Sequence, residues 1–263
     1  MYQVVRETWR TASSGAVAEV LPIASGPMAP RGQSGARAIY DSLRSRIIDG
    51  TLTPGQRLTE LQLAEQFGAS RPPLRAALAA LAAESLLAEL PTGGIRVAPL
   101  DIAEARRVYE IRSRLEGLLA RDACERAMPS DGVHLRRLVA AMGGATYDVD
   151  EVLHLDAQFH ARIEEMADNH WCSMLLGQIA GQVLRYRTFS ARENPGLTQH
   201  IDGHLAIAES MSGHDPDAAE RAVQEHLDRC ARRTMQALRF ASYQPTGAVP
   251  LTRAGLVGRH RRL

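Results

Sequence analysis

The segment from Leu58 to Val97, LTELQLAEQFGASRPPLRAALAALAAESLLAELPTGGIRV, most constrains what this chain can fold into, because its punctuation admits one order of elements. Thr59 is placed to cap a helix that turns Leu61, Leu63, Ala64 and Phe67 inward, and Gly68 ends it. Ser70 is placed to cap a second helix. Pro72 and Pro73 fall in its first turn, where a missing amide proton costs nothing, and Leu74, Ala77, Leu78 and Leu81 recur at helical spacing. Leu86, Leu87 and Leu90 then lead into Pro91-Thr92-Gly93-Gly94 and Ile95-Arg96-Val97, an alternation broken by a Gly-Gly turn as a short hairpin requires. Helix, tight turn, helix and glycine-tipped hairpin are the layout of a winged helix-turn-helix.

Arg71 and Arg75 lie four residues apart at the N-terminal end of the second helix, so both guanidinium groups project the same way, where a recognition helix meets base edges. The planar fork of arginine can donate two hydrogen bonds to guanine O6 and N7, worth about 1 to 3 kcal/mol of discrimination, or clamp a phosphate. Net charge does not help. The 31 basic residues, all of them arginine, stand against 30 acidic ones, so attraction to a polyanion has to come from local placement.

The region from Tyr40 to Val97 resembles the DNA-binding domain of the GntR superfamily of bacterial transcriptional regulators. Four pieces carry the resemblance in order: Ile47-Ile48-Asp49-Gly50, then Leu52-Thr53-Pro54-Gly55-Gln56-Arg57-Leu58, then Leu63-Ala64-Glu65-Gln66-Phe67-Gly68, then Ser70-Arg71 with Pro73-Leu74-Arg75 and Ala77-Leu78. The resemblance implies DNA contacts from Arg57, Ser70, Arg71, Pro73 and Arg75, with Gly94 letting the wing backbone approach the minor groove. Two positions depart from the family pattern. Pro72 stands where threonine is usual, and Gly93 where a basic or polar wing residue is common.

At 263 residues the chain is long enough for two domains with separate cores, and it reads as mainly α. Residues 1–34, rich in Ala, Gly, Ser and Pro, read as a flexible leader, 35–99 as the winged helix-turn-helix with its small β wing, 100–240 as an all-α antiparallel bundle, and 241–263 as a loose basic tail. The best early apolar stretch, Ala16 to Ala24, is interrupted by Glu19 and Pro22, which argues against a secretory or membrane segment. Cys124, Cys172 and Cys230 are far apart and odd in number, as unpaired thiols in a reducing cytoplasm would be.

Six helices are expected in the second half. Asp101 is placed to cap the first, through about Ala127, with Ala105, Val108, Ile111, Leu115, Leu118 and Leu119 as its buried stripe. Pro129-Ser130-Asp131-Gly132 reads as a break before a second helix near Val133 to Met142, ended by Gly143-Gly144. A third, near Val149 to Ala167, turns Val152, Leu155, Phe159 and Ile163 inward; a fourth runs from a cap at Asn169 to about Ser190. The fifth spans about Leu197 to Met211 and the last ends near Phe240.

Asp156 and His160 share a face of the third helix, and a carboxylate with an imidazole at that spacing can hold one cation or simply bond each other. His204 and His226, midway along the fifth and sixth helices, can turn toward the bundle axis that the third helix also faces. An Asp and three His around one cavity suit Zn, Ni, Mn or a similar divalent ion. His200 could add to the set only by crowding an ion already held by four groups, and His134, His154, His170, His214 and His260 have no partner pattern.

From about Asp101 to Phe240 the chain resembles the FCD effector domain, the helical ligand-sensing module joined to the GntR-type winged helix in the FadR-like subfamily. The pieces are Glu110-Ile111-Arg112 with Leu115-Glu116, Asp156-Ala157-Gln158-Phe159-His160, His204-Leu205-Ala206-Ile207 and Glu225-His226-Leu227. The resemblance implies that Asp156, His160, His204 and His226 are metal ligands and that Arg112 pairs with the carboxylate of a small organic acid. From the spacing alone, Arg112 would bond Glu116 four residues on. Gly203 departs from the family, which usually has Glu before the histidine.

The expectation is a homodimeric transcriptional regulator on a pseudo-palindromic DNA operator, modulated by a carboxylate metabolite and a divalent ion, with no membrane partner. Rival readings of the same Asp/His set are a metal-dependent hydrolase and a metal-only sensor. Against an enzyme stands the lack of a serine nucleophile motif, a phosphate-binding glycine loop or a general base beside the metal set.

Overall fold

The computed structural model describes residues 35–90, 93–145, 148–193 and 198–242, with the side chains of 198–200 and 242 outside that set. The expected leader over 1–34 and nearly all of the expected tail over 241–263 lie outside the described residues, as do Pro91 and Thr92 of the wing tip. The elements run α1 (Ala36–Ile48), β1 (Arg57–Leu58), α2 (Glu60–Phe67), α3 (Arg71–Ala83), β2 (Leu87–Glu89), β3 (Ile95–Val97), α4 (Ile102–Arg126), α5 (Pro129–Gly144), α6 (Val149–Ala167), α7 (His170–Glu193), α8 (Thr198–Ser212) and α9 (Pro216–Ser242). Of the four buried apolar clusters among the described residues, one lies under α1 to β3 and three lie inside the bundle of α4 to α9.

In the first unit Leu43, Ile47, Leu58, Leu63, Leu74, Leu81 and Val97 form a fully buried centre, each leucine worth roughly 1.5 to 3 kcal/mol of transfer from water. Thr59 caps α2 as expected, its hydroxyl accepting from the Gln62 amide at 3.3 Å, and Gly68 closes the helix at φ 58°. Two expectations are corrected here. Leu61 is 67% exposed, because two residues along a helix rotate about 200°, so packing through Leu63 turns Leu61 to solvent. Ser70 occupies the N-cap position of α3, but its side chain makes no capping hydrogen bond. The hairpin forms with Leu87 opposite Val97 and Glu89 opposite Ile95, and its tip turns through Gly93 at φ 82° and Gly94 at φ 94°, a backbone only glycine adopts cheaply. A third strand was not anticipated: Arg57 and Leu58 pair antiparallel with Arg96 and Ile95, giving the order β1-β3-β2.

Within the bundle Asp101 caps α4 through the Glu104 amide at 2.9 Å, and Asn169 accepts from the Cys172 amide at 3.2 Å at the start of α7. The buried stripe of α4 is rotated from the expected one. Ala105 and Leu119 are buried as expected, but Ile111 and Leu118 are 50% and 42% exposed, and Tyr109, Arg112 and Ala120 face inward in addition. The charge of the buried Arg112 is met by Glu116, one turn on along the same helix. The Pro129-Ser130-Asp131-Gly132 stretch is the first turn of α5 and not a break; Asp131 reaches back to the Met128 amide at 2.8 Å, and Gly143-Gly144 remain helical. Of the third helix's expected inward residues, Val152, Leu155, Phe159 and Ile163 are all buried.

The α7 helix joins the two units. Gln182 donates to the carbonyls of Glu84 and Ser85, Arg185 to that of Ala98, and Arg192 to that of Asp49. A Cβ at Gly181 would lie 2.7 Å from Glu84 Oε2 and 3.2 Å from Leu86, so glycine permits the close approach of α7 to the turn after α3. Glu84 itself is held by Tyr40 and, at 3.1 Å, by Arg44 of α1.

Candidate DNA interface and metal centre

The expected DNA-contacting residues stand where solvent reaches them. Ser70 and Arg71 are exposed at the start of α3, beside half-buried Pro73. Arg75, one turn on, is 63% exposed and bonds Glu60 of α2 through Nε at 3.1 Å, an ion pair that holds the guanidinium near the helix face at little energetic cost. Arg57 reaches across the sheet to the wing, donating to the Gly93 carbonyl at 3.4 Å, and lies within 3.9 Å of where a Cβ on Gly94 would be. Strand β1 is therefore what places Arg57 beside the wing tip.

Asp156 and His160 of α6, His204 of α8 and His226 of α9 converge, each offering one ligand atom within 4.8 Å of the others. His204 Nε2 lies 2.9 Å from Asp156 Oδ1, and His160 Nε2 lies 3.9 Å from the same oxygen. The imidazole centroids of His204 and His226 are 4.3 Å apart, and His160 is 5.6 Å from each. Ligands about 2.0 to 2.2 Å from one ion lie roughly 3 to 4 Å from each other, so a small inward adjustment of these side chains would bring all four onto a divalent cation. His160 Nε2 is buried without a hydrogen-bonding partner, while Nδ1 faces Glu116 Oε2 at 2.8 Å. With the proton on Nδ1 and directed at that carboxylate, the Nε2 lone pair points into the cluster, which is how metal-ligating histidines are commonly oriented.

The outer partners form a chain of charge. Burial alone would raise the Glu116 pKa, but the Arg112 guanidinium and His160 outweigh it and hold the carboxyl well below the usual range. Arg112, 3% exposed, is buried yet remains firmly protonated because Glu116 compensates. The salt bridge that spacing alone suggested for Arg112 therefore exists, on the same residue to which the resemblance assigns an effector carboxylate. Asp156 has two faces: Oδ1 toward the histidines and Oδ2 in an ion pair with Arg187 of α7. Burial, reinforced by the nearby Arg112 charge, brings the Arg187 pKa down to about 10, so it is still a cation at neutral pH.

A small cavity of about 40 Å³, open on one side to solvent, adjoins this centre, with Arg112, Arg187, Asp156, His204, His226 and Tyr109 in its wall. Tyr109 is fixed by Thr234, whose hydroxyl lies 3.0 Å from the phenol oxygen. Sequence reasoning missed Arg187, since its partner Asp156 lies on another helix and no local spacing links them. The one signal was an arginine set among Tyr186, Phe189 and Ala191, a position whose neighbours are buried. Gly203 also gains a reason. A Cβ there would meet His226 Nδ1 at 2.6 Å and Arg229 at 2.8 Å, so the missing side chain is the space in which His226 sits.

Comparison with known proteins places both halves. Residues 36–97 match the bacterial regulatory proteins of the gntR family, and residues 107–229 match the FCD domain. The chain is 28% identical over 206 residues to the HTH-type transcriptional repressor RspR of Escherichia coli strain K12, covering 75% of this chain and 88% of that protein. It is 26% identical over 193 residues to the uncharacterised HTH-type transcriptional regulator YdhC of Bacillus subtilis strain 168, covering 72% and 86%. Its fold is similar to that of E. coli McbR/YncC, with TM-score 0.64 at 22% identity over 77% of this chain and 98% of that one. A GntR-type regulator from Rhodococcus sp. RHA1 matches with TM-score 0.62 at 18% identity, over 78% and 97%. These families and relatives are transcriptional regulators and not enzymes, and among the described residues no helix is long and apolar enough to cross a membrane. With an operator-reading winged helix at one end and an effector-domain bundle at the other, the chain belongs to the GntR family as a DNA-binding transcriptional regulator carrying an FCD domain.

Proposed function

We propose that this regulator is a cytoplasmic homodimer that binds a pseudo-palindromic operator with an affinity set by a small carboxylic acid held, together with a divalent ion such as Zn, Ni or Mn, in the helical domain. One observation carries the reading: Asp156, His160, His204 and His226 form one cluster, and the buried Arg112 lines both the cavity beside Asp156, His204 and His226 and the one beside His160. The ion, when bound, supplies a Lewis-acidic position for a carboxylate oxygen. Arg112 supplies a second, geometrically matched contact to the carboxylate. On the DNA side Arg57, Ser70, Arg71, Pro73, Arg75 and Gly94 make the operator contacts, each recognition helix entering one half-site.

Coupling needs an element that differs between ligand-bound and free states. Helix α7 is placed for it. Arg187 contacts Asp156 at the cation centre, and Gln182, less than two turns earlier, contacts the carbonyls that follow α3. A shift of α7 that accompanies ligand binding therefore reaches the recognition helix directly. The test is thermal melting of metal-stripped and metal-reloaded protein with a panel of small carboxylic acids, alongside operator affinity under the same conditions. A midpoint raised by an acid only when metal is present, with a parallel change in operator affinity, is the expected result. If neither metal nor any acid moves either quantity, the sensor reading falls; if metal alone shifts both, the ion itself is the signal.

A further inference from the structure

Two arginines stand at the cation centre: Arg112 on α4, which is buried, and Arg187 on α7, whose side chain is 14% exposed. Arg112 pairs with Glu116 and Arg187 with Asp156, so the four side chains sum to no net charge, and the three histidines are neutral when they act as ligands. A divalent ion bound by Asp156 and the histidines therefore leaves the centre with about two uncompensated positive charges. Buried charge of that size is costly unless paired. Both guanidinium groups line the cavity beside the ion's ligands, and both also line the wall of a second cavity between α4, α6 and α7, so the pair forms a cationic partition in the middle of the bundle.

The geometry also separates the work of the two arginines. Glu116 engages both Nε and, at 3.4 Å, a terminal nitrogen of Arg112. Arg187 is less occupied: among the described residues its one ion-pairing partner is Asp156, met through a single terminal nitrogen, and a guanidinium offers five N–H donors. The Asp156 oxygen that Arg187 meets is Oδ2, not the Oδ1 that faces His204 and His160, so cation binding at Oδ1 and the Arg187 contact are compatible.

We infer that the effector is a dianion, with one acidic group directed to the metal and Arg112 and a second directed to Arg187, which makes Arg187 the residue that selects dicarboxylates or comparable doubly charged acids over monocarboxylates. This rests on the proposed sensor reading and narrows it to a ligand class.

The experiment compares acids matched in carbon skeleton, succinate against butyrate and malate against 2-hydroxybutyrate, by isothermal titration into full-length protein whose metal content is verified before and after. The dicarboxylates are expected to bind at least about tenfold tighter. The Arg187→Gln protein, if its metal content is retained, is expected to lose most of that preference, chiefly by weakening the dicarboxylate. Arg187→Lys, which keeps the charge, is expected to restore part of it, whereas a role confined to orienting Asp156 predicts reduced metal content and an equal loss for both acid classes. Monocarboxylates binding as tightly as their dicarboxylate partners to metal-loaded wild-type protein would overturn the inference and leave the carboxylate sensor standing. Binding of neither class to metal-loaded protein would overturn both.

Discussion

Arg75 is 63% exposed and meets one surface carboxylate, whereas Arg112 is 3% exposed and belongs to a chain that runs through Glu116 and His160 to the ligand cluster. The same residue type thus serves two surfaces by different physics. On α3 each guanidinium acts almost alone: it is already solvated, it costs little to hold, and its energy is realised only when DNA arrives. In the bundle each charge is tolerable only because its neighbours are in place, so no member can be altered without changing what the others experience. Substitutions on the DNA face should be local and nearly additive; substitutions at the cation centre should be coupled.

The largest expected effect breaks the buried side of this comparison. His204→Ala removes one of the four proposed ligands, and metal retained after exhaustive dialysis is expected to fall to background, together with any acid-dependent shift in melting. Retention of a full equivalent of metal would show that the cluster is not the binding site. On the exposed side, Arg75→Ala is expected to cost about 1 to 3 kcal/mol of specific operator binding, measured by anisotropy on a selected operator fragment, while the melting midpoint stays close to that of the parent. Combining it with Arg71→Ala tests additivity. A double variant far weaker or far stronger than the sum would mean that the two arginines share one contact.

Gly203→Ala sharpens the contrast, because it changes one methyl group and no charge. The added carbon would press on His226 Nδ1 and on Arg229, so metal affinity is expected to drop about ten- to a hundredfold, the scale of a lost outer-sphere support, while operator affinity of the metal-free protein changes far less. Unaltered metal affinity would indicate that α8 and α9 separate easily at this point.

How much of this was legible depended on whether each partner lay nearby in sequence. The recognition helix and wing could be read because caps, prolines and the Gly93-Gly94 turn act over a few residues, and Val152, Leu155, Phe159 and Ile163 because one helix face is one period. The convergence of His204 and His226 on Asp156 and His160 was readable from the bundle reading as one arrangement open to the helices, and the resemblance singled it out, since spacing within single helices does not fix how three helices meet. What could not be read were relations across elements. Strand β1 has two residues and exists because β3 pairs with it; the face that α4 turns inward is set by the helices packed against it; Arg187 and Asp156 are joined only in the folded bundle. Gly203, visible in the sequence only as a departure, becomes meaningful once His226 is seen to occupy the space.

The smallest expected effect lies between the two regions. Gln182 belongs to neither surface, and its bonds to the Glu84 and Ser85 carbonyls are replaceable by water, so Gln182→Ala should leave metal affinity, acid affinity in the absence of DNA and operator affinity in the absence of acid near their parental values. What it should reduce is the dependence of one on the other. If α7 transmits the bound state of the cation centre to the end of α3, the ratio of operator affinities with and without acid should contract by about 0.5 to 2 kcal/mol. The measurement is a thermodynamic square of operator titrations at zero and saturating acid for parent and variant, and reciprocity requires that the acid titration with and without DNA contract by the same factor. A square that keeps its full coupling would place the communication elsewhere, with the Arg185 bond to the Ala98 carbonyl in the interdomain linker as the next contact to remove.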